Sequence, residues 1–202
     1  MRIAVTSDLH LPKTPAEVIG GVAADVAACG PDAVVLAGDL GESSDDFEPC
    51  PSLFRKLACP VLVLAGNHDV FPARVSSQHL WTRALPETVR RLGFHWLEGE
   101  PFVRGGVAVA GTVAWYDYSA AAPAVSAAPR DFAREKHYFS PDDRIDWPWT
   151  DQEFAALVGQ DFLGVLDRLE ADAAVKEVVV ITHMPVLDCQ LCLLYTSPSP
   201  RD

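Results

Sequence analysis

Apolar residues in this chain fall into short unbroken runs, separated by stretches with helical spacing. Ile3 to Thr6, Ala33 to Leu36 and Val61 to Leu64 are almost continuously apolar. Such runs predict strands buried on both faces, the habit of parallel sheets rather than of half-solvated antiparallel ones. Between the first two, Thr14-Pro15-Ala16-Glu17 reads as a capping box with proline at the first helical position. A helix with Val18, Ile19, Val22 and Val26 on one face follows, and Gly30-Pro31 stops it. A short helix over residues 51–57 leads to the third run. The alternation of strands and helices predicts an α/β fold.

The second half is less regular. Val89 to Phe94 reads as a helix end. Trp96-Leu97, Phe102-Val103 and Val107 to Ala110 read as short strands, with Gly105-Gly106 as a hairpin signal. Residues 115–149 are aromatic, charged and punctuated by Pro123, Pro129, Pro141 and Pro148. That is long for a plain connector and predicts a lid or cleft wall. Trp115-Tyr116-Asp117-Tyr118 and Trp147-Pro148-Trp149 suit either a substrate cleft or the packing of this segment, and Arg130, Arg134 and Lys136 suit a solvated face. Thr150-Asp151-Gln152-Glu153 is a second capping box, opening a helix with Phe154, Leu157, Val158, Phe162, Val165, Leu166 and Leu169 at helical spacing. Val178 to Ile181 predicts a last buried strand, delivering Thr182-His183. Beyond Asp188 the periodicity is lost and Ser197-Pro198-Ser199-Pro200 is low-complexity. The reading is therefore a domain over 1–188 and a non-native or disordered tail over 189–202.

Polar residues gather where the apolar runs end, and ligands of open α/β sheets bind at the carboxyl ends of strands. Asp8 and His10 are two apart, so in extended backbone they point to one side and can converge on one cation. Asp39 lies one strand–helix–strand step later, beside the first strand under the usual right-handed crossover, and its two oxygens can bridge two ions. Asn67 offers an amide oxygen one step further on, and His183 a ring nitrogen. This mixed oxygen and imidazole set suits Mn, Fe, Zn, Co or Ni better than Ca. Turns collect polar residues for ordinary reasons. Those reasons do not explain why four strand ends carry ligand types while the strands between carry none. His79, His95 and His137 stand apart from this set and read as surface or structural residues.

Charge and cysteine content narrow the setting. The net charge of −12 argues against a surface that holds nucleic acid by charge, although two bound cations would make a local site positive. The five cysteines are odd in number and irregularly spaced, and Cys189-x-x-Cys192 has no answering pair, which suits reduced thiols in the cytoplasm. No signal peptide and no membrane-length apolar stretch is visible. The acidic run Asp45-Asp46-Phe47-Glu48 reads as a solvated loop.

Taken in order, Asp8-Leu9-His10, Gly38-Asp39, Gly66-Asn67-His68-Asp69 and Thr182-His183 resemble the motifs of the calcineurin-like metallophosphoesterases. The resemblance covers most of 1–188. It implies an αββα sandwich of mixed sheets, incomplete at its C-terminus, and two divalent metal ions, with manganese favoured. It implies that Asp8 and His10 hold the first ion, Asp39 bridges, and Asn67 and His183 hold the second. His68 would face the scissile phosphate as acid or electrostatic helper, with Asp69 orienting it. A metal-bridging hydroxide would hydrolyse a phosphomonoester or phosphodiester, on a small molecule or a phosphoprotein. The resemblance also implies a later Gly-His-x-His, yet the last histidine is His183. Truncation accounts for that, and an inactive interaction module on the same scaffold is the alternative.

Overall fold

The computed structural model describes residues 1–119 and 145–187. Strands β1 (Ile3–Thr6), β2 (Ala33–Ala37), β3 (Val61–Leu64) and β4 (His95–Trp96) form one sheet in that order, parallel throughout. Strands β5 (Phe102–Arg104), β6 (Val107–Thr112) and β7 (Glu177–Thr182) form a second, mixed sheet. There β5 runs antiparallel to β6, and β7 parallel to it. Gly105 and Gly106, at φ +59° and +81°, make the β5–β6 turn.

Alternation along the strands builds the layers. Val35, Leu62 and Leu64 point one way and meet Leu97, Val109, Phe102 and Ile181 between the sheets. Val34, Leu36, Val61 and Val63 point the other way, into a core with Ile19 and Ala23 of helix α1 (Ala16–Ala28). Helices α2 (Ser44–Phe47) and α3 (Pro49–Ser52) close the same side. So does a helical run made of α4 (Ser77–His79), a π-helical turn (Leu80–Ala84) and α5 (Leu85–Arg91). The long helix α6 (Asp151–Ala171) packs Val165 and Leu169 on Ala108 and Ala110 of β6. The layering is helix, sheet, sheet, helix, a mixed α/β architecture as the motifs imply.

Several local expectations change. No capping box forms at residues 14–17. Pro15 stands at the N-cap without a side-chain bond, and the Thr14 N–H instead donates to the His10 carbonyl at 2.9 Å. On α1, Ile19 and Ala23 are buried and Val22 and Val26 pack against the same core, while Val18 is 55% exposed. β1 and β7 are not buried on both faces. Val5, Val178 and Val180 are exposed, each lying in the last strand of its sheet among the described residues. The acidic run is helical, because Phe47 needs a core position and is 1% exposed. The second capping box forms as read. Glu153 N–H donates to Thr150 Oγ1, and Thr150 N–H donates back to the Glu153 carboxylate.

Trp115, Trp147 and Trp149 pack around Phe154 of α6, with ring centroids 4.0–5.6 Å from it. They serve as packing for this region. Residues 120–144 of the lid expected over 115–149, with Arg130, Arg134, Lys136 and His137, lie outside the described residues, as does the tail over 189–202 with its two cysteines.

Candidate metal centre

The parallel ladder between β1 and β2 continues past the strands into their loops. Asp8 N–H donates to the Gly38 carbonyl, His10 N–H to the Asp39 carbonyl and Leu11 N–H to the Leu40 carbonyl, each at 3.0 Å. Zipped in this way, the loops hold Asp8, His10 and Asp39 at φ +56°, +46° and +53°. Left-handed backbone at a residue with a side chain costs on the order of 1–3 kcal/mol and persists where the surroundings over-determine it. Two glycines allow the third loop in. A Cβ on Gly66 would collide with Asp39 Oδ1, and one on Gly38 would stand 2.6 Å from Gly66 N and 2.7 Å from His183 Nδ1.

The expected ligands all come together on Asp39, which is 4% exposed. His10 Nε2 lies 3.6 Å from Asp39 Oδ2 and 4.0 Å from Asp8 Oδ1. His183 Nε2 lies 3.4 Å from Asp39 Oδ1 and 3.3 Å from Asn67 Oδ1, while its Nδ1 is 2.9 Å from the Ala37 carbonyl. That last bond requires Nδ1 to carry the proton and leaves Nε2 bare toward Asp39 and Asn67. Two triads bring donor atoms within 4.8 Å of one another: Asp8, Asp39 and His183, and His10, Asp39 and His68. Asp39 belongs to both, the position a bridging carboxylate needs.

Asp69 does not orient His68. Its carboxylate accepts the N–H groups of Leu40 (3.0 Å), Gly41 (3.1 Å) and Gly66 (2.8 Å), tying the second and third loops together. The 3₁₀ turn His68–Val70 turns consecutive side chains in different directions, so adjacency in sequence misleads here. Burial pushes the Asp69 carboxyl up to about 7, with the charge of Asp39 adding to the rise against the pull of the Gly66 and Gly41 amides.

Besides Asp39, the His68 ring has Glu42 as an acidic neighbour, a residue that sequence reasoning missed. Glu42 Oε2 lies 3.9 Å from His68 Nδ1, and Glu42 Oε1 lies 2.9 Å from His10 Nδ1. The two rings meet edge-on with centroids 4.8 Å apart, and Phe71 backs His68 at 4.7 Å. The available signal was an acid three residues beyond Gly38-Asp39, past the compact Gly41.

The donors fit divalent cations. Asp8, Asp39, Glu42 and Asp69 form a group of carboxyls that, among the described residues, no lysine or arginine pairs. His10 Nδ1, His68 Nδ1 and Glu42 Oε1 are buried without a well-directed hydrogen bond. A carboxyl cluster without a counter-cation, set beside imidazole nitrogens, is what hard and borderline cations neutralise.

The fold and this cluster define a phosphoesterase scaffold, and the chain belongs to the calcineurin-like phosphoesterase family, whose model matches residues 1–198. Among solved structures, it is similar to the phosphopantetheinyl hydrolase of Mycobacterium tuberculosis. The two share 20% identity at a TM-score of 0.66, over 91% of this chain and 68% of that one. A protein of unknown function from Aquifex aeolicus aligns at 12% identity and a TM-score of 0.34, over 83% of this chain and 98% of that one. No curated protein matches the chain.

Proposed function

We propose that the protein hydrolyses a phosphomonoester or phosphodiester with two divalent cations, manganese favoured, held by Asp8, His10, Asp39, Asn67 and His183 within a domain over 1–188. The observation that carries this reading is the convergence of donors from four separate strand ends on one buried carboxylate, Asp39. When bound, the ions would polarise the phosphoryl group and activate water. The chain's own part is to aim donors. His183 keeps Nε2 free by donating through Nδ1 to Ala37, and Glu42 stands behind His10 so that its Nε2 faces Asp39. His68 sits beside this group with its ring lodged between His10 and Phe71, a place suited to giving a proton to a leaving oxygen. The substrate is taken as a small-molecule or phosphoprotein ester, and the net charge of −12 disfavours nucleic acid. The free thiols Cys29, Cys50 and Cys59 support a reducing, cytoplasmic setting.

The test is hydrolysis of p-nitrophenyl phosphate and bis-p-nitrophenyl phosphate with and without Mn²⁺. A phosphopantetheinyl ester belongs in the panel because the solved neighbour is named for that group. Metal-dependent turnover is expected, and its absence on every substrate would reject the reading. A chain that binds no divalent cation yet holds a protein partner would favour the inactive module instead. The 202-residue chain, which lacks Gly-His-x-His, is expected to turn over slowly.

Glu42→Gln tests the orienting role. Removing an outer partner of a metal-binding histidine costs roughly 10–100-fold in metal affinity or activity. A Mn²⁺ titration and kcat/KM should both show it. Unchanged values would leave Glu42 as a bystander.

A further inference from the structure

Glu98 is a partly buried carboxyl with no part in the reaction proposed above. It follows β4, and its backbone forms an isolated parallel bridge with Gly111 of β6, joining the two sheets. Gly111 makes the approach possible, since a Cβ there would stand 2.9 Å from Leu64 Cδ2 and 3.1 Å from Leu97 Cδ1. The Glu98 carboxylate accepts the Val113 N–H and is hydrogen-bonded by the Thr112 side chain. Burial pushes its carboxyl up to about 8 against the pull of these two donors.

Val113 and Thr112 are also the residues that secure the end of β7. The Thr112 carbonyl accepts the His183 N–H at 3.3 Å, and the Val113 carbonyl accepts the Met184 N–H at 3.0 Å. The next residue, Ala114, is held at φ +44°, with its N–H donated to Thr112 Oγ1 at 3.3 Å. A left-handed alanine has no side chain to stabilise that conformation, so neighbouring contacts must hold it.

We propose that Glu98 is a positioning residue for His183: by fixing the Thr112–Ala114 turn, it fixes the backbone from which the His183 ring reaches Ala37 and Asn67. The purpose of that ring rests on the metal reading above; the positioning itself does not. Deleting the carboxylate frees the Val113 N–H, loosens the turn and lets the end of β7 drift, so that the ring no longer keeps one tautomer and one direction.

Nitrogen-15 NMR of the His183 ring in metal-free protein reads this directly, and Mn²⁺ titration reads its consequence. In the wild type the Nδ1–H tautomer is expected to dominate. E98A should average the His183 ring signals and weaken Mn²⁺ binding roughly 10–100-fold, as removal of an outer partner does. E98Q keeps an oxygen toward Val113 and should behave like the wild type. Leu169→Ala, on the buried face of α6, lowers thermal stability by cavity formation and should change neither reading. If E98A does not fold, Glu98→Met fills the space without an acceptor and takes its place. Wild-type His183 signals in the acceptor-less variant would overturn the proposal, as would equal disturbance by Leu169→Ala. Altered His183 signals in E98A, together with no Mn²⁺ binding by the wild type, would uphold the positioning role and reject the metal reading alone.

Discussion

Asp39→Asn is expected to lower kcat/KM by roughly 10³-fold or more, at the upper end of what loss of a single aimed electrostatic group costs. The expectation follows from where its two oxygens point. Oδ1 lies 3.4 Å from His183 Nε2 and accepts the His68 N–H at 3.0 Å, while Oδ2 lies 3.6 Å from His10 Nε2. Asparagine keeps the size and one oxygen for His68, so the loop should hold. The other position becomes an NH₂ that repels a cation, and the negative charge is gone. The stability signature should invert with metal. Without Mn²⁺ the variant should be as stable as the wild type or more so, because the charge of Asp39 disfavours ionised Asp69. With Mn²⁺ only the wild type should gain, by mass action on the folded state. Metal content after dialysis, thermal melts with and without Mn²⁺, and steady-state kinetics check all three. A variant that keeps its metal and its turnover would remove Asp39 from the centre of the site.

His68→Ala is expected to reduce kcat by about 10²–10⁴-fold while leaving the metal content intact, the mark of a proton donor rather than a ligand. The geometry leaves both roles open to test, since His68 Nε2 is 4.0 Å from Asp39 Oδ2 and belongs to one of the two close triads. A ligand would take metal with it when removed. A donor would show itself through the leaving group. The loss should be larger for an alkyl phosphate, whose departing alkoxide needs a proton, than for a nitrophenyl ester, whose departing phenolate does not. Equal losses on both substrates, or metal lost along with activity, would reassign the residue.

The central strands and their polar ends were legible because each depends on neighbours close in sequence. β2 and β3 are apolar at every position, and a strand buried on both faces has no other composition open to it. The Thr150–Glu153 box works through bonds three residues apart. What stayed hidden depends on the third dimension. Val5 and Val180 look as buried as Val35 until the order of strands in each sheet is known. Val18 outranks Ala23 in hydrophobicity, yet Ala23 is buried in the core and Val18 is exposed. In the site, His68-Asp69 suggests a pair by adjacency, and a 3₁₀ turn separates them. Glu42 becomes a partner of His10 and His68 only because its loop folds back. Glu98 lies 85 positions from His183, and nothing local links them until β6 and β7 pair.

The zipped loops after β1 and β2 have a consequence for metal exchange. Backbone hydrogen bonds carry the ladder from the strands to the donor residues, so the spacing of the Asp8–His10 loop from the Asp39 loop is a peptide dimension, the inter-strand step of about 4.8 Å. Peptide geometry acts as a ruler here, and side chains supply only the last reach. Exchanging manganese for zinc or iron would alter bond lengths and Lewis acidity. The span offered to a phosphoryl group would stay the same, so specificity for substrate shape should survive a change of ion that alters the rate.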